Sequence, residues 1–187
     1  MKTALVVDDE PMIRRQVAET LELYGFDEII EAENGAEAVS LAETRRPLLI
    51  VMDVSMPVMD GITAAEKISK NVEVPIVLLT GNKDMETVDR AREAGVMSYL
   101  VKPFRGEEAY PAIDLAIHHF IQYSNLRDEV NRLKDTLETR KMIEKAKGLL
   151  IRKGMTEPEA YRKMQKLAMD KRKTLKEVAE AILLMEG

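Results

Sequence analysis

Short apolar runs alternate with amphipathic stretches along the first part of the chain. Residues 4–7 form an apolar run that ends on carboxylates, and Pro11–Tyr24 follows with Ile13, Val17 and Leu21 at helical spacing. Ile29 and Ile30 mark a brief second strand, and Ala36, Val39 and Leu41 a helix that stops before Pro47. Residues 48–52 are apolar throughout, as a strand covered on both faces should be. A helical stretch from Gly61 to about residue 70 leads through Pro75 into a strand over 76–79. A helix around 85–94 ends at Gly95, a suitable C-terminal cap, and Ser98–Val101 is a fifth strand closed by Lys102-Pro103. Five strands alternating with helices predict an α/β domain with a five-stranded, doubly wound parallel sheet.

Beyond Pro111 nothing reads as a strand. Tyr123, Leu126, Val130, Leu133 and Leu137 recur at spacings of 3, 4, 3 and 4. That is a coiled-coil seam of about two heptads, or equally an amphipathic helix lying on its own domain. Three helical segments follow. The first runs to Lys153 and stops at Gly154, while the second and third open with Thr156-Glu157-Pro158-Glu159 and Thr174-Leu175-Lys176-Glu177. Both openings are capping boxes, in which the Thr and Glu side chains satisfy free backbone N–H groups. The apolar stripes are Ala160, Met164, Leu167 and Ala168 on one, and Leu175, Val178, Ala179 and Ile182 on the other. The expected organisation is a sheet domain over 1–120, a coiled-coil helix over 121–140 and a small three-helix bundle over 141–187.

Composition narrows the classes. The chain has no cysteine, which excludes a disulfide framework or a thiolate metal site. The N-terminus turns acidic too soon for a signal peptide, and no apolar run approaches the ~18 residues of a membrane span, so a cytoplasmic location is expected. The formal charge of -5 conceals a split: residues 140–187 hold 13 Lys+Arg against 7 Asp+Glu, and residues 1–139 hold 15 against 26. An acidic body with a basic end implies different partners for the two, although a basic segment can equally be a solvated helix face.

In an open parallel sheet the functional crevice lies beyond the carboxyl ends of the strands. The polar residues at those ends are Asp8 and Asp9, Asp53, Thr80 and Lys102. Three carboxylates crowded together need a cation, and hard oxygen ligands suit Mg²⁺, which also bridges to phosphate. Lys102 can pair with a phosphoryl oxygen, and Thr80 can donate a hydrogen bond to another.

The motifs Asp8-Asp9-Glu10, Met52-Asp53-Val54-Ser55-Met56-Pro57-Val58-Met59-Asp60-Gly61, Leu79-Thr80-Gly81 and Tyr99-Leu100-Val101-Lys102-Pro103-Phe104 resemble the receiver domain of two-component response regulators. The resemblance covers about residues 3 to 120 and implies a flavodoxin-like fold. It implies that Asp53 accepts a phosphoryl group from a sensor histidine kinase. Asp8, Asp9, Asp53 and the backbone carbonyl of Ser55 would hold Mg²⁺. Thr80 and Lys102 would grip the phosphoryl oxygens, and Tyr99 would turn inward when Thr80 moves. Met56-Pro57 and Asp60-Gly61 shape the loop that presents Asp53.

At the other end, Arg140-Lys141-Met142-Ile143-Glu144-Lys145-Ala146-Lys147-Gly148-Leu149-Leu150-Ile151, with Ala160-Tyr161-Arg162-Lys163-Met164, Leu167-Ala168-Met169 and Leu175-Lys176-Glu177-Val178-Ala179, resembles the ANTAR module, an RNA-binding antitermination domain. Gln165 departs from it where a basic residue is expected. At ~100° per residue, Met142, Ile143, Ala146, Leu149 and Leu150 share a core face, while Lys141, Lys145, Gly148 and Arg152 fall away from it. An exposed helix glycine costs ~1 kcal/mol relative to Ala. Gly148 is therefore either a flat spot for a sugar-phosphate backbone or a helix contact in a dimer. Lys171-Arg172-Lys173 is a second cluster suited to phosphates. Tyr161 reads as half-core or as a platform for an unpaired base. The resemblance implies hairpins in nascent messenger RNA leaders as targets, held so that a terminator cannot form, and the linking helix suggests a homodimer that forms on phosphorylation. The alternatives are a DNA-binding regulator, with the last two helices as a helix-turn-helix, and a basic end that docks on an acidic protein. The DNA reading lacks side chains suited to base edges, since the last helix offers only Lys176, Glu177 and Glu180. No separate enzymatic output is expected, and adjacent His118 and His119 face different directions on their helix.

Overall fold

The computed structural model describes residues 1–81 and 85–185. Its elements are β1 (Thr3–Val7), α1 (Pro11–Tyr24), β2 (Glu28–Ala32), α2 (Gly35–Arg45), β3 (Leu49–Asp53), α3 (Gly61–Asn71), β4 (Ile76–Thr80), α4 (Met85–Glu93), β5 (Ser98–Val101), α5 (Gly106–Arg152), α6 (Glu157–Lys171) and α7 (Leu175–Leu184). The chain separates into two compact units, Met1–Ser124 and Asn125–Gly187. The last two residues of the predicted bundle lie outside the described residues.

In the first unit the five strands are all parallel, in the order β2-β1-β3-β4-β5. Strand periodicity of two sorts the apolar residues onto two faces. Leu5, Val7, Ile50, Met52, Ile76 and Leu78 pack against Ala38 and Ala42 of α2, Ile62, Ala65 and Ile68 of α3 and Ala91 of α4. Ala4, Val6, Leu49, Val51, Val77 and Leu79 pack against Val17 and Leu21 of α1 and Ala109, Ile113 and Ala116 of α5. Burial on both faces is what makes the central strands apolar at every position. The strand order reverses between β1 and β3, so the crevice opens beyond their carboxyl ends.

Local signals set the helix ends. Pro11 occupies the first turn of α1, where its missing N–H costs nothing. Gly25, at φ 103°, ends the helix by donating its N–H to Leu21 and Glu22. Asn34 and Asp60 cap α2 and α3 through their side chains.

The sequence pattern divides at Pro111, but the structure continues as one 47-residue helix, α5, with Pro111 inside it. Most of its interior favours helix, Gly148 being the chief exception, and one proline near the start removes one hydrogen bond without ending the run. Ala109, Ile113 and Ala116, spaced at helical period across the proline, hold that first stretch onto the sheet.

In the second unit Ala146 and Leu150 of α5, Ala160 and Met164 of α6, and Val178 and Ala179 of α7 form the core. Gly154, at φ 94°, follows the end of α5. Thr156 donates its N–H (2.9 Å) and hydroxyl (2.7 Å) to Glu159. Thr174 donates its N–H to Glu177 at 2.7 Å and accepts from the Glu177 N–H at 3.2 Å. Tyr123, Leu126, Val130, Leu133 and Leu137 are all exposed, the least so being Val130 at 40%. No helix among the described residues is long and apolar enough to cross a membrane.

Candidate functional site

The sheet delivers five polar side chains to its carboxyl edge. Asp53 ends β3 and Thr80 ends β4, both nearly buried, and Asp8, just past β1, is fully buried. The exposed Asp9 completes a cluster in which one carboxylate oxygen from each of Asp8, Asp9 and Asp53 lies within 4.8 Å of the others. Lys102, just past β5, places its Nζ 2.6 Å from Asp8 Oδ2 and 3.1 Å from Asp53 Oδ1. Its backbone N–H donates to the Thr80 carbonyl at 2.7 Å, which locks the two strand ends together. Burial pushes the Asp53 carboxyl up, against the pull of the Lys102 charge. Burial works against the Lys102 ammonium, but hydrogen bonds and charge from Asp8 and Asp53 outweigh it and its pKa is raised.

Three carboxylates facing one ammonium leave an excess of negative charge in a half-buried crevice. The donor set is all oxygen and partly open to solvent through Asp9. Such a set fits a hard divalent cation that keeps some of its water, as Mg²⁺ does. Ser55 follows on the exposed β3–α3 loop, two residues past Asp53. Tyr99 is on β5 with its side chain outward, 51% exposed.

Two further residues shape this crevice: Arg14, which no motif of the sequence singles out, and Gly61, expected to shape the loop that presents Asp53. Arg14 of α1 is buried, donates to the Asp8 carbonyl at 2.8 Å, and pairs with Glu31 (2.8 Å) and Glu33 (3.3 Å). It therefore ties the end of β1 to the end of β2. Its signal in the sequence is a charge on the same helical face as Val17 and Leu21, where a solvated cation does not belong. Gly61 is the second. A Cβ there would lie 2.0 Å from the Asp53 carbonyl oxygen, so only glycine lets α3 start against the strand end. The Gly61 N–H donates to the Val54 carbonyl at 2.9 Å, and Asp60 accepts from the N–H groups of Ile62 (3.1 Å) and Thr63 (3.0 Å).

The basic residues expected to meet RNA differ in how they are held. Lys147 is held by Glu144 and Glu157, both at 2.7 Å, with its side chain only 12% exposed. Its two hydrogen bonds, to Glu144 and then Glu157, raise its pKa. Lys173 reaches Glu177 at 2.6 Å, and Arg172 is the left-handed cap of α6 at φ 52°. Arg140, Lys141, Lys145, Arg152 and Lys171 are exposed, and among the described residues no acidic group pairs with them. Lys145, Gly148, Leu149 and Arg152 of α5 line a groove of about 440 Å³ with Leu183 of α7. Tyr161 is 40% exposed and absent from the core, because Ala160 and Met164 take the inward positions of α6.

Residues 4–114 match the response regulator receiver domain, and residues 131–183 match the ANTAR domain. The chain is a response regulator. A receiver followed by an ANTAR output is a regulator's architecture rather than that of a catalytic family. This response regulator is 48% identical over 183 residues to the transcriptional regulatory protein PdtaR of Mycobacterium tuberculosis, covering 97% of this chain and 89% of the relative. It is 35% identical to the chemotaxis protein CheY of Bacillus subtilis, over 61% of this chain and 96% of that one. Among solved structures, Vibrio cholerae CheY4 superposes with a TM-score of 0.57 at 32% identity, over 61% of this chain and 97% of that chain. Both CheY likenesses belong to the sheet unit, whose strand order is the flavodoxin-like one.

Proposed function

We propose that this response regulator binds hairpins in nascent messenger RNA leaders, prevents transcription termination, and is switched by phosphorylation of Asp53. The supporting observation is the meeting of Asp8, Asp9 and Asp53 oxygens within 4.8 Å, bridged by Lys102. An Asp53 Oδ attacks phosphorus in line, and the phosphorus–nitrogen bond of a sensor kinase's phosphohistidine breaks. An acyl phosphate remains on Asp53, and the departing imidazole nitrogen takes up a proton. The chemistry needs positioning and charge neutralisation above all. Asp8, Asp9, Asp53 and the Ser55 carbonyl would hold Mg²⁺, which supplies charge neutralisation at the phosphoryl oxygens. Lys102 pairs with one phosphoryl oxygen and Thr80 donates to another. Thr80's movement makes room for Tyr99 to turn in from its exposed position.

In this reading residues 1–120 are the receiver, 121–140 a coiled-coil linker and 141–187 the RNA-binding bundle. The exposed stripe from Tyr123 to Leu137 pairs with a second copy when phosphorylation favours the dimer-competent receiver. Two linked bundles then engage paired hairpins at raised effective concentration. The cations open to RNA are Arg140, Lys141, Lys145, Arg152 and Lys171, with Tyr161 available to stack on an unpaired base. Arg172, whose backbone caps α6 while its side chain stays exposed, joins this set, whereas Lys147 and Lys173 are engaged first with glutamates.

Crosslinking to cellular RNA with and without phosphorylation, followed by sequencing, tests the output: hairpin leaders should be enriched in the phosphorylated sample. Equal binding to duplex DNA and hairpin RNA at one salt concentration would overturn it. An Asp53→Asn variant should accept no label from a small acyl-phosphate donor. Light scattering should find a larger oligomer after phosphorylation; an unchanged one defeats the switch.

A further inference from the structure

Gly148 sits inside α5, outside the positive-φ glycines Gly25, Gly95 and Gly154, so no left-handed turn requires it. A Cβ placed there would meet nothing within 4 Å, so packing within the chain does not require it either. A helix interior prefers almost any other residue. The missing side chain instead opens the groove whose floor is Leu149 and Leu183 and whose rim carries Lys145 and Arg152. The groove is shallow and open to solvent, with about 440 Å³ of space over it. The cations at its rim have no acidic partner among the described residues, whereas Lys147, one residue before Gly148, has two.

A dimer contact does not account for the gap. Continued at spacings of 3 and 4 from Leu137, the seam meets Arg140, Glu144 and Lys147, so its apolar stretch ends well before Gly148. Apolar side chains beside two cations that have no acidic partner among the described residues match one ligand chemistry well: a flat heteroaromatic ring carrying phosphates on either side. Arg152 can both stack on such a ring and pair with a phosphate.

We propose that the Gly148 groove seats one unpaired base of an RNA hairpin loop, with the flanking phosphates on Lys145 and Arg152. This rests on the RNA-binding reading above and deepens it from backbone contact to a base-reading notch.

The test uses the full chain and a hairpin carrying 2-aminopurine at successive loop positions. Gly148→Ala should raise Tm by about 2–4 °C, since it improves helix propensity in open space. The same variant should weaken hairpin binding, and Gly148→Leu should weaken it about tenfold or more. Binding to plain duplex RNA, carried by phosphates, should change less than about twofold in both variants. One loop position should change its 2-aminopurine fluorescence on binding the parent protein and not on binding Gly148→Leu. If Gly148→Leu binds the hairpin as tightly as the parent, the notch is wrong while the RNA reading survives. If Gly148→Leu shifts only self-association, the groove belongs to a second copy of the chain and the notch is again wrong. If the parent itself prefers no hairpin over duplex, both readings fail together.

Discussion

At the scale of single residues, the crevice depends on groups that never touch a phosphate. Arg14 holds the Asp8 carbonyl from inside the fold and anchors itself on Glu31 and Glu33. Both glutamates are half or more exposed, so most of what Arg14 contributes is the buried bond to the carbonyl rather than the ion pairs. Arg14→Met should cost about 1–3 kcal/mol in urea unfolding, the penalty for a buried acceptor left without a donor. It should also weaken Mg²⁺ binding by calorimetry, because the carbonyl that Arg14 fixes is Asp8's own and directly precedes Asp9. A stability loss with unchanged Mg²⁺ affinity would confine Arg14 to the fold. Gly61→Ala drives a methyl into the Asp53 carbonyl. Overpacking against backbone should cost about 1–3 kcal/mol and slow labelling of Asp53 by an acyl-phosphate donor. The carboxylates, Thr80 and Lys102 were legible in the sequence because each directly follows or ends an apolar run. Arg14 was not, since no motif contains it and its carboxylate partners lie 17 and 19 residues away.

At the scale of elements, the capping box on α7 gives the second unit a pH dependence. Glu177 receives hydrogen bonds from Lys173 and from the Thr174 N–H and hydroxyl, which hold its pKa at about 2 against an ordinary 4.5. A carboxyl depressed on folding contributes stability that is complete above the unfolded pKa and is lost as pH falls through the folded one. The window therefore runs from about 4.5 down to about 2. Glu177→Gln should lower Tm at pH 7, and the gap to the parent should close as pH falls through that window. A gap that stays constant would mean that the box acts by shape alone. The Thr-x-x-Glu signature made both boxes readable in the sequence, since the Thr and Glu that form one lie only three positions apart. The length of α5 was less accessible. Pro111 and the change in patterning there divide it on paper, whereas the packing of Ala109, Ile113 and Ala116 on the sheet, with Tyr24 against Tyr110 and Asp114, holds the helix on both sides of it. The fate of Lys147 was equally hidden: Glu144 is a neighbour on its own helix, but Glu157 reaches it only after the turn at Gly154.

At the scale of the whole molecule, the proposed switch requires two copies to meet along α5, and the charges beside the seam choose how. With Tyr123, Val130 and Leu137 at a positions and Leu126 and Leu133 at d, Glu129 falls at g and Lys134 at e. Leucine at d with a β-branched Val130 at one a position suits a two-stranded pairing. In a parallel, in-register pair each Glu129 faces Lys134 of the other copy, five residues on. An antiparallel pair would instead set e against e, bringing the cations Arg127 and Lys134 together. Glu129→Lys alone and Lys134→Glu alone should each weaken self-association about five- to tenfold, because both cross-pairs of the dimer become like-charged. Mixed one to one, the two variants should recover parental affinity, since every cross-pair in the mixed dimer is again opposite in sign. Sedimentation of the phosphorylated proteins at low salt reads this directly, and the differences should shrink as salt rises, because both sites are exposed. If the mixture associates no better than either variant alone while the parent dimerises, the copies pair in another orientation, and the hairpin-binding ends are not held side by side by this seam.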